Sequence, residues 1–469
     1  MSPPRLVLPA VVLAAALPAS GGALKATIDT DSVLARTLDE YASWNLDSTD
    51  NREFFTRNLR NPQLIDFAKD LAPSFMRVGG TGAKFLYYQV GADKNKTWNG
   101  KIDWSDGKYH WNWPPKYLNE TLWDDVCNLA GSSGAKLVFN ICEAVFAKDN
   151  GSNLRALLEY SIKKGCKIAA IETSNEQGVP TPEMIKAIYH TVQGAYPAGE
   201  APVLIGPDES VAESIVQMRD NANKVGVSLF GTTYHDYNDE HKFSKCEGVL
   251  KPFVKPNSSL FYGTNGRTWI GESATCGQGG LKNISDTFAS GLWYWSYLGR
   301  HAQLNHAVFL RQTIVGGNYG LLRDRFWDHT MEGDALFPNA DYFSNVLFTR
   351  QMGNEVFNTT TSDIHVQVYA HCSRRHKGGL AVAVINYNTE ATQVVLDNAQ
   401  LGEESAREEW IMTSNDPSTV FSKFANINGN KLTSVKDLVG VAGKGNTLTL
   451  PPQSYGVVVY PDAAVGACN

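Results

Sequence analysis

Two patterns of apolar and polar positions follow one another along this chain. Up to about residue 350, short apolar runs recur between stretches with helical spacing. Lys25–Thr30 (KATIDT), Pro73–Gly80 (PSFMRVGG), Ala135–Cys142 (AKLVFNIC), Cys166–Thr173 (CKIAAIET), Pro202–Ile205, Val225–Phe230, Arg267–Ile270 (RTWI) and His306–Leu310 read as eight strands. Leu122–Ala130, Leu154–Lys163, Pro182–Tyr196 and Glu209–Asp220 read as helices between them. Strands that alternate with helices imply right-handed βαβ units and a parallel sheet. Eight of them over about 300 residues fit a (β/α)8 barrel. The rival, an open doubly wound sheet, would carry a G-x-G-x-x-G loop after its first strand, and none stands there.

From about Gly353 the period changes. Ile364–Ala370 (IHVQVYA), Leu380–Asn386 (LAVAVIN), Thr392–Leu396 (TQVVL), Thr447–Leu450 (TLTL) and Tyr455–Tyr460 (YGVVVY) alternate or carry β-branched runs, with no long helix among them. Strands without covering helices bury one face against another sheet, which predicts a β-sandwich. The expected class is α/β: a signal peptide over 1–22, a catalytic (β/α)8 barrel over 23–350 and a β-sandwich domain over 351–469.

Composition narrows the function. Of the 469 residues, 43 % are hydrophobic and 19 % charged, as in a folded globular chain. The net charge of −6 gives no general field for nucleic acid, so no such partner is expected. Arg5 precedes the apolar run Leu6–Leu17, and small residues follow from Ala19 to Gly22. That is signal-peptide chemistry, and no later run is long enough to span a membrane. Export places the protein outside the cell, with the lysosome as the alternative. Six N-x-S/T sequons agree with this route, at Asn95, Asn119, Asn150, Asn257, Asn283 and Asn358. The seven cysteines include no C-x-x-C pair, which gives a zinc or redox site no support. Their odd number leaves at least one free or paired between chains.

Barrel enzymes carry their chemistry where strands end at the C-terminal rim. Glu176 follows the fourth predicted strand in Thr173-Ser174-Asn175-Glu176, and Glu272 follows the seventh in Trp269-Ile270-Gly271-Glu272-Ser273. Two carboxylates at one rim are what glycoside hydrolysis needs: one attacks the anomeric carbon and the other protonates the leaving oxygen. Asn175 stands where it can bond a sugar 2-hydroxyl. An ionised Glu272 should hold the pKa of Glu176 up until the covalent intermediate removes that charge.

Met76-Arg77-Val78-Gly79-Gly80-Thr81, Asn175-Glu176, Gly271-Glu272-Ser273, and Leu310-Arg311-Gln312 through Gly317-Asn318-Tyr319 resemble the signature segments of the heparanase family. The similarity runs from Thr27 to Cys468 and includes the closing strand Ser454-Tyr455-Gly456-Val457. The resemblance implies a retaining β-glucuronidase with a C-terminal β-sandwich, Glu176 as acid/base and Glu272 as nucleophile. It also implies that Asp29, at the end of strand one, and Thr81 line the sugar site. His235 and Tyr237 would support the nucleophile and touch substrate. Gln312, Gly317 and Tyr319 would meet the uronate carboxylate, and Cys372 would pair with Cys468. Several of these have plainer readings: His235 as a bonded barrel histidine, Tyr319 as loop packing, Asp29 as a helix cap. Arg311 points away from Gln312 along the strand and reads equally as a buried structural cation.

The chain departs from the family pattern. Ser174 stands where glycine is usual, Thr173 where an aliphatic residue is, Gly82 where a basic residue follows Gly-Gly-Thr in the vertebrate enzyme, and Tyr234 where a histidine is. An enlarged insertion covers Arg325–Leu336. Only about 20 residues, Gly91–His110, separate the second-strand loop from Trp111-Asn112-Trp113, so a single chain without linker excision is expected. The leech-type hyaluronidases, which the chain also resembles, share this feature. The expected activity is endo-cleavage of β-glucuronide bonds in a glycosaminoglycan, heparan sulfate or hyaluronan, by a monomer with no metal or cofactor. Exo-cleavage of small glucuronides and a non-catalytic glycan-binding role are the alternatives.

Overall fold

The computed structural model describes residues 23–49, 54–105, 110–237, 246, 249–252, 261, 267–325 and 335–469. Eight parallel strands close a barrel in chain order. They are β1 (Ala42–Asp47), β2 (Phe75–Gly79), β3 (Lys136–Asn140), β4 (Ile168–Glu172), β5 (Val203–Glu209), β6 (Gly231–His235), β7 (Arg267–Ser273) and β8 (His306–Arg311). Closure is made where Phe309, Leu310 and Arg311 of β8 pair with Ala42, Ser43 and Trp44 of β1. The outer helices are α1 (Pro62–Asp70), α2 (Glu120–Ser133), α3 (Glu143–Asp149), α4 (Ser152–Lys164), α5 (Pro182–Gln193), α6 (Ser214–Lys224), α7 (Phe288–Gln303) and α8 (Ala340–Gln351). Their limits follow local chemistry. Asn61 and Thr181 cap α1 and α5, each with proline in the first turn. Gly134 and Gly165 end α2 and α4 in left-handed backbone. On α5, Ile185, Ile188 and Val192 form the buried stripe that packs on the barrel.

The barrel interior has two characters. Phe75, Val138, Ala170, Ile205, Trp269 and Leu310 form an apolar plug. At the C-terminal ends of the strands the buried side chains are polar, including Asn45, Arg77, Asn140, Glu172, Asp208 and Gln312. Buried polar groups are costly unless bonded to one another, so this layer marks where binding or chemistry is placed.

Among the described residues, twelve of the remaining strands form one sheet that doubles on itself, and the other six pair in three two-stranded sheets. Val366, Val368, Val382, Val384 and Val458 pack with Ile28, Val394, Leu396, Leu448 and Leu450 in a second core. The alternate residues Ala381, Ala383, Ile385, Tyr455, Val457 and Val459 join the barrel core instead. With both faces covered, the strands Leu380–Asn386 and Ser454–Tyr460 are buried at every position.

Two strand assignments need correction. The run at Lys25–Thr30 is not the first barrel strand. Leu24–Asp29 lies in the outer sheet, antiparallel to Met352–Thr361 and parallel to Thr392–Asp397. Its alternation of exposed and buried residues suits a half-covered strand, whereas β1 is buried throughout. The sixth strand is Gly231–His235, not Val225–Phe230. Val225 ends α6 and Gly226 turns the chain, while polar Thr232 and Thr233 hide the strand from a hydrophobicity reading. No helix among the described residues is long and apolar enough to cross a membrane.

Disulfides join Cys127 to Cys166, Cys246 to Cys276, and Cys372 to Cys468, and Cys142 is free and buried. The last pair is the one that the resemblance implies. Of the sequons, Asn95, Asn119, Asn150, Asn283 and Asn358 are exposed; Asn257, the signal segment and most of the 325–336 insertion lie outside the described residues.

Candidate active site

Glu272 ends β7 with its side chain 8 % exposed, and Glu176 lies four residues past β4 with its side chain 37 % exposed. One atom joins them. Nδ1 of His235, at the end of β6, is 3.1 Å from Glu176 Oε1 and 3.8 Å from Glu272 Oε2. The two oxygens are therefore less than about 7 Å apart, toward the short separations that allow direct carboxylate attack. Glu176 faces the open side of the cleft and Glu272 its floor.

Arg77, fully buried on β2, organises the floor. Its Nε donates to Glu172 Oε2 at 2.5 Å, Nη1 to Glu272 Oε1 at 2.9 Å, and Nη2 to Asn175 Oδ1 at 2.8 Å and to Asp208 Oδ2. Gly79 makes room, because a Cβ there would stand 2.4 Å from the guanidinium carbon. Gly271 is needed similarly, since its Cβ would lie 1.8 Å from Asp208 Oδ1. Tyr237 donates its hydroxyl to Glu272 Oε2 at 2.7 Å. Each oxygen of Glu272 thus accepts a bond from a fixed donor, which fixes the direction of its free lone pairs. Asp208, His235 and Glu272 hold donor atoms within 4.8 Å of one another, a spacing that could hold a cation. Arg77 already supplies the positive charge to two of the three.

The proton at this site is not where the sequence suggests. Burial opposes ionisation of Glu176, but the hydrogen bond and charge of His235, with Lys84 and Arg77 behind them, hold its pKa down to about 2. His235 is raised well above the usual histidine range: burial opposes its charge, and Asp208 and Glu272 overcome that. Nε2 of His235 is 2.8 Å from Asp208 Oδ2. In the open cleft the shared proton therefore rests on the imidazole, one hydrogen bond from Glu176. The expectation of a raised Glu176 is corrected by this histidine.

The other expected residues divide. Asn175 is present, but its oxygen is already committed to Arg77 and to the Gly80 N–H at 3.0 Å, leaving its NH2 as the free end. Thr81 begins the turn directly after Gly80, half-buried at the rim. Gln312 accepts from Asn45 Nδ2 at 2.7 Å and donates to Asp47 Oδ2 at 2.8 Å. Gly317 meets the Gly279 carbonyl, and a Cβ at Gly280 would lie 3.0 Å from Tyr319 N, so the loops after β7 and β8 close on each other. Tyr319 is buried beside that closure. Arg311 is structural, bonded to Asp341 at 2.6 Å and to the Tyr319 carbonyl at 2.8 Å.

Asp29 does not belong to the site. It is exposed in the outer sheet opposite Asn358. Asp47, at the true end of β1, takes the place expected of it. Burial first, and then the charge of Glu272, push Asp47 up to about 6. Sequence reading also passed over Arg77, Asp208, Lys84 and the Gly279–Gly280 turn. A lone arginine inside the apolar run PSFMRVGG was the available signal, since a buried cation must have partners.

Comparison with known proteins places this geometry. No family model matches the chain. It is 28 % identical to the baicalin-β-D-glucuronidase of Scutellaria baicalensis, covering 81 % of this chain and 78 % of that one. It is 25 % identical to the hyaluronoglucuronidase of Hirudo nipponia, covering 88 % and 92 %. With the heparanase of Mus musculus it shares 24 % over 90 % of this chain and 89 % of that one. Among solved structures, the arabinofuranosidase of Xanthomonas axonopodis pv. citri superposes with a TM-score of 0.62 at 13 % identity, covering 93 % and 99 %. The 4-O-α-L-rhamnosyl-β-D-glucuronidase of Fusarium oxysporum 12S gives 0.61 at 13 %, covering 92 % and 100 %. A (β/α)8 barrel with two carboxylates converging at its C-terminal mouth, and relatives of this kind, define a glycoside hydrolase. Within that class its sequence is like those of heparanase-like proteins, at 24 to 28 % identity over most of the chain.

Proposed function

We propose that the protein is a retaining endo-β-glucuronidase that cleaves internal glucuronide bonds of a glycosaminoglycan, with Glu272 as nucleophile and Glu176 as acid/base. The observation that carries this reading is the convergence of both carboxylates on His235 Nδ1. A glycosidic oxygen bound beside Glu176 excludes water from that carboxylate and weakens its hold on ionisation. The His235 proton then passes to Glu176 and on to the leaving oxygen. Glu272 attacks the anomeric carbon, its charge spread beforehand by Arg77 and Tyr237. In the glycosyl-enzyme Glu272 is neutral, and Glu176 takes a proton from the water that releases the sugar on the face it left. The uronate carboxylate would be met by Tyr319 and the N–H groups of Gly279, Gly316 and Gly317, which bind an anion without a full counter-charge.

The hyaluronoglucuronidase and heparanase relatives support a glycosaminoglycan as substrate. Cleavage of small glucuronides is the second reading. It is favoured by the baicalin-β-D-glucuronidase relative; Gly82, where a Cβ would lie 1.9 Å from the Ser48 carbonyl oxygen, leaves no room for a basic side chain and so speaks against a sulfated chain. The disulfides support action outside the cell or in the lysosome. Following the anomer released from a β-glucuronide by proton NMR tests the mechanism. Release of the β-anomer first is expected, and release of the α-anomer first would overturn it.

A further inference from the structure

Ser174, Glu176 and Gly178 all hold positive φ, at 60°, 50° and 85°, so the loop that carries Glu176 is wound in a conformation that side chains disfavour. Its ordinary contacts hold only part of it. Asn140 Nδ2 donates to the Ser174 carbonyl, and the Glu176 N–H donates to the Asp208 carbonyl at 2.9 Å. The far end is held by two side chains: Ser174 Oγ donates to the Gly178 carbonyl at 3.2 Å, and the Gly178 N–H donates to Glu209 Oε1 at the shorter 2.6 Å, the one tie to another strand. Asp208 and Glu209 are neighbours in sequence, yet both serve the site. The register between β5 and β6 shifts between Pro207 and Glu209, and Asp208 has φ 59°. A bulge of this kind re-aims side chains. Here it lets Asp208 bond Arg77 and His235 while Glu209 turns to the loop. Glu143, at the start of α3, is the neighbouring acid. Burial first, and then the charge of Glu209, push it up to about 8, so it stands neutral near pH 7.

We infer that Glu209 is a positioning residue for Glu176: by holding the Gly178 N–H it fixes the strained loop so that the acid reaches the leaving oxygen. This rests on the retaining-glucuronidase reading. A displacement of the acid by about 1 Å costs on the order of 100-fold in a step that needs it, and nothing in a step that does not. The effect must therefore depend on the leaving group, which a general loss of structure would not produce.

The test compares kcat/KM for phenyl β-glucuronide, whose leaving group needs a proton, with that for 2,4-dinitrophenyl β-glucuronide, whose leaving group does not. Glu209→Ala is expected to lose about 10- to 100-fold on the phenyl substrate and less than about threefold on the dinitrophenyl one. Glu209→Gln, which keeps an acceptor oxygen for Gly178, is expected to restore most of the phenyl activity. Equal losses on both substrates, or no loss on either, would overturn the inference while leaving the glucuronidase reading in place. A folded wild-type protein that cleaves neither these substrates nor hyaluronan or heparan sulfate would overturn the reading and this inference with it.

Discussion

Arg77 Nη1 donates to Glu272 Oε1 at 2.9 Å across the width of the barrel, from the second strand to the seventh. The same guanidinium bonds Glu172 and Asp208, so one fully buried cation serves three carboxylates. The catalytic floor is thereby an electrostatic unit, and its parts are not separable.

Replacing Arg77 by Met should accordingly cost far more than one ion pair. Glu172 would be left without a cation, and Asp208 and Glu272 with His235 alone, and breaking one buried pair costs about 3–5 kcal/mol. Denaturant unfolding of the purified variant is expected to show at least that loss. A change below about 1 kcal/mol, the size of an exposed pair, would contradict the arrangement.

Stability should fall between mildly acid and alkaline pH. Glu143 is raised from 4.5 to about 8 by burial and by Glu209, and its Oε1 is enclosed without a partner. A carboxyl raised by folding binds its proton more tightly in the native state. Its contribution is complete below its unfolded pKa and is lost as pH rises through its folded one, here from 4.5 to about 8. Glu143→Gln cannot ionise, so the fall from pH 5 to pH 8 should shrink by on the order of 3 kcal/mol. Denaturation midpoints at the two pH values check this. A variant as pH-sensitive as wild type would refute it.

Gly82 should not accept a basic residue. The backbone oxygen of Ser48 occupies the space of its Cβ, and backbone cannot move aside as a flexible side chain would. Gly82→Lys is expected to lose about 1–3 kcal/mol, as overpacked sites do, and to gain no affinity for a sulfated chain. Thermal unfolding and a binding titration with heparin measure the two effects.

How much of this was legible in the sequence depends on what each residue touches. Glu176 and Glu272 stood at strand ends in recognisable local motifs, and strands with continuous apolar runs, such as Lys136–Asn140 and Ile168–Glu172, were readable as buried parallel strands. The first barrel strand was not, because Ala-Ser-Trp-Asn-Leu-Asp mixes polar residues that face the barrel mouth with apolar ones that face the helices. The better-looking run at residues 24–29 took its place, and Asp29 at its end stood where Asp47 stands in the barrel. Ser174 looked like a lost glycine, and its φ of 60° explains why glycine is usual there. Glu209 gave no signal at all, because its role is set by a bulge and a loop from a different strand. The position of the proton was hidden for the same reason: His235 is 59 residues from Glu176, and no local pattern states their contact.

The most direct test of the central claim is to trap the covalent intermediate. Incubation with 2-deoxy-2-fluoro-β-glucuronyl fluoride, proteolysis and mass spectrometry would locate the sugar. The account predicts one fluoroglucuronyl group per chain, on the peptide that contains Glu272 and at that carboxylate. A label on any other residue, or turnover with inversion and no label, would contradict it.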